Sequence, residues 1–226
     1  MVENTQSSTA RLTRQVVLRA ALALLNDVGI DALSTRRLAE RLGVQSPTLY
    51  WHFRSKAELL AAMAQTIMLE RHRDSAPKPG QPWQAWLLDN ARSFRAALLA
   101  YRDGARLHAG SQPRGAHFDV IEGKMRFLCD AGLSPDRAFI LMFSLGRFIV
   151  GWVLEEQAVA RSDAPAARGD AGPDPVAYPL LARGWATLSD EHPDRLFERS
   201  VRLFIAGAEA ALRDRVDWPS DTSDRR

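Results

Sequence analysis

Four aromatic residues stand in a row at Tyr50, Trp51, His52 and Phe53, inside the stretch SPTLYWHFRSK that runs from Ser46 to Lys56. A helix buries one stripe of its surface, so such a run leaves aromatic faces outside. Leu49 and Phe53 are four apart and share a face; Tyr50, Trp51 and His52 then point outward, beside Arg54 and Lys56. Hydroxyl, indole N–H and ammonium groups are donors, and donors clustered in this way suit the phosphates of a DNA backbone. Ser46, Pro47 and Thr48 form the tip of the stretch, placed to touch base edges, a thymine methyl among them.

The charge agrees. Eight Arg and Lys residues stand between Arg11 and Lys56 against three Asp and Glu, whereas the whole chain of 226 residues carries a net +3. A basic module joined to a larger, nearly neutral body implies a polyanion bound at one end.

The elements that must position these groups read as helices. Val16, Val17, Ala20, Leu24 and Leu25 recur at helical spacing, and Gly29 suits the helix end. Ser34 caps a short second helix carrying Leu38 and Leu42, which Gly43 ends. Ser46 is placed to cap a third, very short helix with Pro47 at its first position. Ser55 and Glu58 form a capping box opening a long helix from Lys56 to about His72. Helix, helix, tight turn and short helix is the helix-turn-helix order, in which the second helix of the pair enters the major groove.

Beyond a Pro-rich break at DSAPKPGQPW, the chain again reads as helices: Pro82 to Tyr101, the short piece GARLHAG, Phe118 to Cys129, Pro135 to Ala158 and Pro193 to Leu212. Residues 161–175 are poor in large apolar side chains and read as a loop. The helix from Pro135 is apolar nearly all round (Phe139, Leu141, Met142, Phe143, Leu145, Phe148, Ile149, Val150, Trp152, Val153), so a second copy of the chain is expected to cover part of it. The fold class is all-α, with five parts: an N-terminal tail at 1–10, a helix-turn-helix domain at 11–56, a connecting helix at 57–75, a ligand-binding and dimerisation body at 76–214, and a polar tail at 215–226.

Several classes are set aside. There is no G-x-S-x-G, H-E-x-x-H, phosphate-cradling Gly loop or Cys/His pair, so an enzyme is not expected. The single Cys129 excludes an internal disulfide and fits a buried small side chain. No run of about 18 uninterrupted apolar residues and no signal peptide is found, so a cytoplasmic protein without a membrane span is expected. A non-specific nucleic-acid binder remains an alternative, distinguishable by a steep salt slope without sequence preference.

The segment ALSTRRLAERLGVQSPTLYWHFRSKAELL resembles the DNA-binding domain of the TetR family of bacterial repressors. WLLDNARSFRAALLAYRDGARLHAGSQP and FIVGWVLEEQ extend the likeness into its tetracycline-responsive branch. The resemblance implies a homodimer reading a palindromic operator with Arg36, Gln45, Ser46, Pro47, Thr48, Tyr50, Trp51, His52 and Lys56. Its paired recognition helices would sit about 34 Å apart. It also implies release of the DNA on binding a tetracycline-like inducer as a Mg²⁺ complex. His108 would be the metal ligand, with Ser111 and Glu155 reaching metal-bound water; one imidazole plus water suits Mg²⁺. His72, Asn90, Phe94 and Pro113 would contact the ligand.

Spacing alone leaves His108 readable as a structural histidine, and mid-helix Asn90 needs a partner of some kind. The chain departs from the family pattern at Ser46 and Gln45 in the recognition helix, which implies a related operator with altered base preference. It departs again at Lys124 (for a glutamine), Arg147 (for a histidine) and Gln112 (for an arginine). The two new cations, Lys124 and Arg147, favour a second reading, a regulator of the same family that senses a different aromatic or anionic small molecule.

Overall fold

A computed structural model describes residues 12–111, 116–161 and 172–213, and its described residues are helical with no strand. Ten helices follow in order: α1 Arg14–Ala32, α2 Thr35–Leu42, α3 Ser46–Tyr50, α4 Lys56–Arg71, α5 Trp83–Leu99, α6 Gly104–Ala109, α7 Ala116–Asp130, α8 Pro135–Arg161, α9 Pro179–Asp190 and α10 Pro193–Arg213.

The caps explain the head. Thr13 Oγ1 accepts from Val16 N–H, Ser34 Oγ from Arg37 N–H and Ser55 Oγ from Glu58 N–H. Each satisfies a donor that has no partner inside its helix. Glu58 reaches back to the N–H of Arg54 at 2.9 Å, one residue earlier than the expected box. Gly43 adopts φ 66° and closes α2 with N–H contacts to the carbonyls of Ala39 and Glu40. The expected cap of α3 is corrected by one residue: Gln45 is the N-cap, Ser46 and Pro47 are its first helical residues, and no side chain caps it. Proline fits there because its missing N–H would have had no helical partner.

Two cores result. The head's core gathers Val17, Ala21, Leu25, Leu38, Leu49, Phe53, Leu59, Met63 and Ile67 from α1 to α4, and it includes Ala97 of α5 and Leu107 of α6. The body's core joins Trp86, Leu87, Ala91, Ala105, Leu128, Leu145, Ile149, Phe197 and Val201. Phe148 and Trp152 of α8 meet Phe197 of α10, the Trp152–Phe197 rings lying edge-on at 5.6 Å. Thus α4, expected as a connector, is built into the head, and α5 and α6 enter both cores.

Helix α9 was not expected from the sequence, where Gly184 and the polar residues around Ser189 blur its pattern. None of its residues is buried, and Leu180, Leu181, Trp185 and Leu188 stay exposed. Of the stretch expected as a loop, residues 162–171 lie outside the described residues, as do both expected tails. Helix α8 is long and apolar enough to cross a membrane by length and composition alone. Arg147 breaks any uninterrupted apolar run in it, and α8 packs against α5, α6, α7 and α10.

Candidate functional site

At the tip of the head, α3 presents the residues that its sequence singled out. Leu49 and Phe53 are buried, while Tyr50 is 53% and Trp51 88% exposed. Gln45, Pro47, Arg54, Lys56 and Arg36 are exposed; Ser46, Thr48 and His52 are half-buried. An indole held this far out costs apolar exposure with no packing in return, which marks a contact surface. The turn is held from behind. Arg14 donates to the His52 carbonyl and to Glu58 Oε1, and its guanidinium lies 4.1 Å from the centre of the Phe53 ring. Arg36 is engaged with Glu40 at 3.0 Å, an exposed pair that a phosphate can displace at little cost.

The second site lies where α4, α5 and α6 converge. His72, the residue that ends α4, faces Phe94 of α5 with ring centres 5.6 Å apart, and Phe94 meets His108 of α6 edge-on at 5.0 Å. The Asn90 side-chain N–H₂ approaches His72 Nε2 at 3.3 Å and the carbonyls of Asp74 and Ser75 at 3.2 and 3.3 Å. Because that group only donates, Nε2 must accept, so the His72 proton sits on Nδ1 and is given to Ser93 Oγ at 3.1 Å. Ser93 was not singled out in the sequence; it fixes the tautomer of His72 and also accepts the Asp74 N–H. Burial, reinforced by the positive charges of Lys124 and His108, pushes the His72 imidazolium down to about 3. His72 is therefore neutral, and both its nitrogens are already occupied by protein groups.

His108 differs. Its Nδ1 is buried and has no hydrogen-bond partner among the described residues. Burial, with a smaller push from His117, lowers its pKa and keeps a lone pair available. A buried polar atom without a partner is costly, and a bound group is the ordinary remedy. No group of three His, Cys, Asp or Glu side chains able to hold a metal exists among the described residues. The donor set therefore fits a cation that arrives already chelated by its own ligand and takes one imidazole from the protein.

Several expected members do not join this cluster. Ser111 turns its hydroxyl to the His108 carbonyl at 2.8 Å. Arg147 and Glu155 are exposed on α8, Arg147 on the stripe shared with Phe139 and Phe143; the stripe that packs inward carries Ala138, Leu145, Ile149 and Val153. Arg147 lies instead over the Phe143 ring at 3.7 Å. Gln112 and Pro113 lie outside the described residues. Lys124 is half-buried on α7, on the stripe that also carries buried Leu128 and Phe127, whose ring meets Trp86 of α5 at 5.2 Å. An open apolar hollow of about 450 Å³ between α8 and α10 contains none of the cluster. Its wall is apolar apart from Arg137 and Ser144, the character of a surface for another helix.

The two sites meet at the turn between α5 and α6. Asp103 is 3% exposed and sits at φ 58°, a left-handed conformation that Asp tolerates. Its Oδ2 accepts the Ile30 N–H at 2.9 Å, and its Oδ1 pairs with Arg161. Arg106 grips Asp31 through two contacts of 2.8 Å. A Cβ at Gly29 would lie 3.0 Å from Asp103 Oδ2, and one at Gly104 only 2.1 Å from the Leu98 carbonyl. Both glycines let backbone approach backbone here. Asp103-Gly104 is a turn signal visible in the sequence, but its partners in α1 and α8 are not.

Comparison with known proteins agrees with this architecture. Residues 17–63 match the family of bacterial regulatory proteins called tetR, and residues 76–212 match the tetracyclin repressor-like C-terminal domain. The class A tetracycline repressor from transposon 1721 of Escherichia coli is 46% identical over 197 residues, which span 87% of this chain and 90% of that protein. A TetR variant from Acinetobacter baumannii AYE in complex with minocycline superposes with TM-score 0.75 at 40% identity, covering 89% of this chain and 99% of that one. A class A TetR bound to 5a,6-anhydrotetracycline and magnesium gives 0.68 at 40% identity, covering 88% and 99%. The chain belongs to the TetR family of bacterial regulatory proteins and is a ligand-responsive, DNA-binding transcriptional repressor.

Proposed function

We propose that the inducer is a tetracycline-like molecule bound as its Mg²⁺ complex, and that binding releases a palindromic operator from a homodimer. The observation that carries this reading is the buried, neutral, unpartnered Nδ1-bearing ring of His108, walled by Phe94 and set on the short helix joined to the head. His108 would hold the cation, and the cation would gather the ligand's chelating oxygens against the pocket wall. Asn90, Phe94 and His72 would orient the rest of the molecule. The relatives' bound molecules, minocycline and anhydrotetracycline with magnesium, support the same choice.

The dimer follows from what one chain leaves uncovered. Phe139, Ile140 and Phe143 of α8 and Leu203 of α10 are 42–75% exposed, around the apolar hollow already described. A contiguous apolar face of this kind is covered in a stable protein, and a second copy related by a two-fold axis presents the matching helices. On α8 the same face carries Arg147, so this residue would approach the partner chain.

Release follows from connectivity. Ala105 is packed in the body's core, Leu107 in the head's, and His108 lines the pocket. A ligand that shifts His108 must shift α6 and, with it, the head. Only a difference in ligand affinity between the two head arrangements can drive this. The test is titration of tetracycline into the purified protein with Mg²⁺ and with EDTA, read by fluorescence, alongside operator release read by anisotropy. Tight Mg²⁺-dependent binding that displaces operator is expected. A His108→Ala protein that still releases operator at the wild-type tetracycline concentration would remove His108 from its role.

A further inference from the structure

The turn that ends α3 is too short to hold its own shape. Helix α3 has five residues, no side-chain cap and one buried residue, Leu49. A single helical turn fixes several backbone angles for few hydrogen bonds, so its geometry must come from its neighbours. The His52 carbonyl is taken by Arg14, the first residue of α1 and 38 positions earlier in the chain. The same guanidinium lies 4.1 Å from the centre of the buried Phe53 ring and donates to Glu58 Oε1 at 3.3 Å. Glu58 accepts the Arg54 N–H at 2.9 Å through its other oxygen, and its own N–H is capped by Ser55. One planar cation thus fastens His52 and Phe53 directly and Arg54 through Glu58. It does so from behind the surface where Trp51 stands 88% exposed.

We propose that Arg14 is a positioning residue for operator reading: it holds the turn from His52 to Arg54 so that Tyr50, Trp51 and Lys56 meet DNA together, and it does not contact DNA itself. A carbonyl, a carboxylate and a ring engage it at once, which suits a planar guanidinium and not the compact ammonium of lysine. Without the clamp the turn populates other arrangements, and apparent operator affinity falls with the fraction that stays competent. Non-specific binding rests on net charge and is spared. Half of the Arg14 side chain is exposed, so the rival role is a direct phosphate contact, and the two roles differ in salt dependence. The inference rests on α3 being the element that meets DNA.

The experiment compares full-length wild type, Arg14→Gln, Arg14→Lys and Glu58→Gln on two duplexes: the palindrome that the wild type selects from a randomised pool, and a scrambled duplex of equal length. Anisotropy across a salt series gives each affinity. Arg14→Gln is expected to bind the palindrome about tenfold more weakly, as when the competent fraction falls to about a tenth. The scrambled duplex should change by less than about twofold, and the salt slope should stay as it was. Loss of a phosphate contact would instead reduce the slope by about one and weaken both duplexes alike. Arg14→Lys keeps the charge and should recover little of the loss. Glu58→Gln removes a negative charge from the DNA-facing head, which by charge alone tightens binding; the clamp requires it to weaken binding of the palindrome. Amide exchange at His52 and Phe53, whose N–H groups bond the Leu49 carbonyl at 3.0 Å, should quicken in both Gln variants. Full rescue by Arg14→Lys, tighter binding by Glu58→Gln, or equal loss on both duplexes overturns the proposal. Trp51→Ala separates the two readings. Unchanged binding of the palindrome there refutes α3 as the reading element; weakened binding there beside an unchanged Arg14→Gln overturns the role of Arg14 alone.

Discussion

Asp103 ties the reading head to both α6 and α8, and its removal has a calculable cost. In Asp103→Ala the Ile30 N–H loses its acceptor in a part-buried position, worth about 1–3 kcal/mol. Arg161 also loses its partner; because its side chain is 37% exposed, water recovers much of that loss, leaving about 1 kcal/mol. The sum is about 2–4 kcal/mol, a large share of the ~5–15 kcal/mol that holds a domain together. Asp103→Asn separates the parts. Asn also tolerates the left-handed backbone at φ 58° and keeps an oxygen for the Ile30 N–H, so only the ionic contribution of about 1 kcal/mol is lost. Urea unfolding of the three proteins, followed by helicity and by tryptophan fluorescence from the body, measures both numbers. A drop below about 0.5 kcal/mol in Asp103→Ala would refute the latch, since that is the range of substitutions that touch nothing important. An Asn variant as unstable as the Ala variant would refute the division between hydrogen bond and ion pair.

Two further outcomes follow from the head and the pocket. His72 binds a proton at about 3 in the folded chain against an ordinary value of 6.5, so the unfolded state takes up a proton first. Stability is then unaffected above pH 6.5 and falls as pH drops below it, by about 2 kcal/mol at pH 5 from this group; His72→Gln should flatten that slope in urea titrations at pH 7 and 5. Trp51→Ala removes a side chain that is 88% exposed, so it should leave the melting temperature nearly unchanged while weakening operator binding. Leu49→Ala, two residues earlier and 3% exposed, should cost about 2–5 kcal/mol of stability; calorimetry and anisotropy on both variants separate fold from contact.

Local rules carried the reading of the head. The caps at Ser34 and Ser55, the left-handed Gly43, and the split of Leu49 and Phe53 from Tyr50 and Trp51 all depend on residues within four positions of one another, a range over which spacing is informative. Ser46 was displaced by one because Gln45 caps α3 through its backbone alone, leaving no side-chain signature. The pocket was legible only in part, since its residues come from distant positions. Asn90 was recognisable as a buried amide needing a partner, but that its partners are His72 and two carbonyls sixteen and fifteen residues back depends on how α4 and α5 cross. Asp103, Arg161 and Ile30 lie 58 and 73 residues apart along the chain, and nothing local couples them. Arg147 and Glu155 were expected in the same cavity as His108; both are exposed on α8, and helical geometry carries Arg147 to the side opposite Leu145 and Ile149.

That last displacement bears on how the protein works as a switch. The cluster proposed to hold the ligand, His72, Asn90, Phe94 and His108, offers groups that are neutral. The only carboxylate expected to take part, Glu155, is exposed on α8. If a second copy brings its own Glu155 toward this cavity, ligand charge, metal and dimer become one linked equilibrium. Each partner then shifts the others' affinities by the same factor. A weakened dimer would bind inducer less tightly even with every pocket residue of its own chain intact. Phe143→Glu, placed on the exposed stripe of α8 and away from His108, provides the comparison: dilution should lower its inducer affinity at protein concentrations where the wild type is unaffected. Concentration-independent affinity in that variant would confine the ligand site to a single chain.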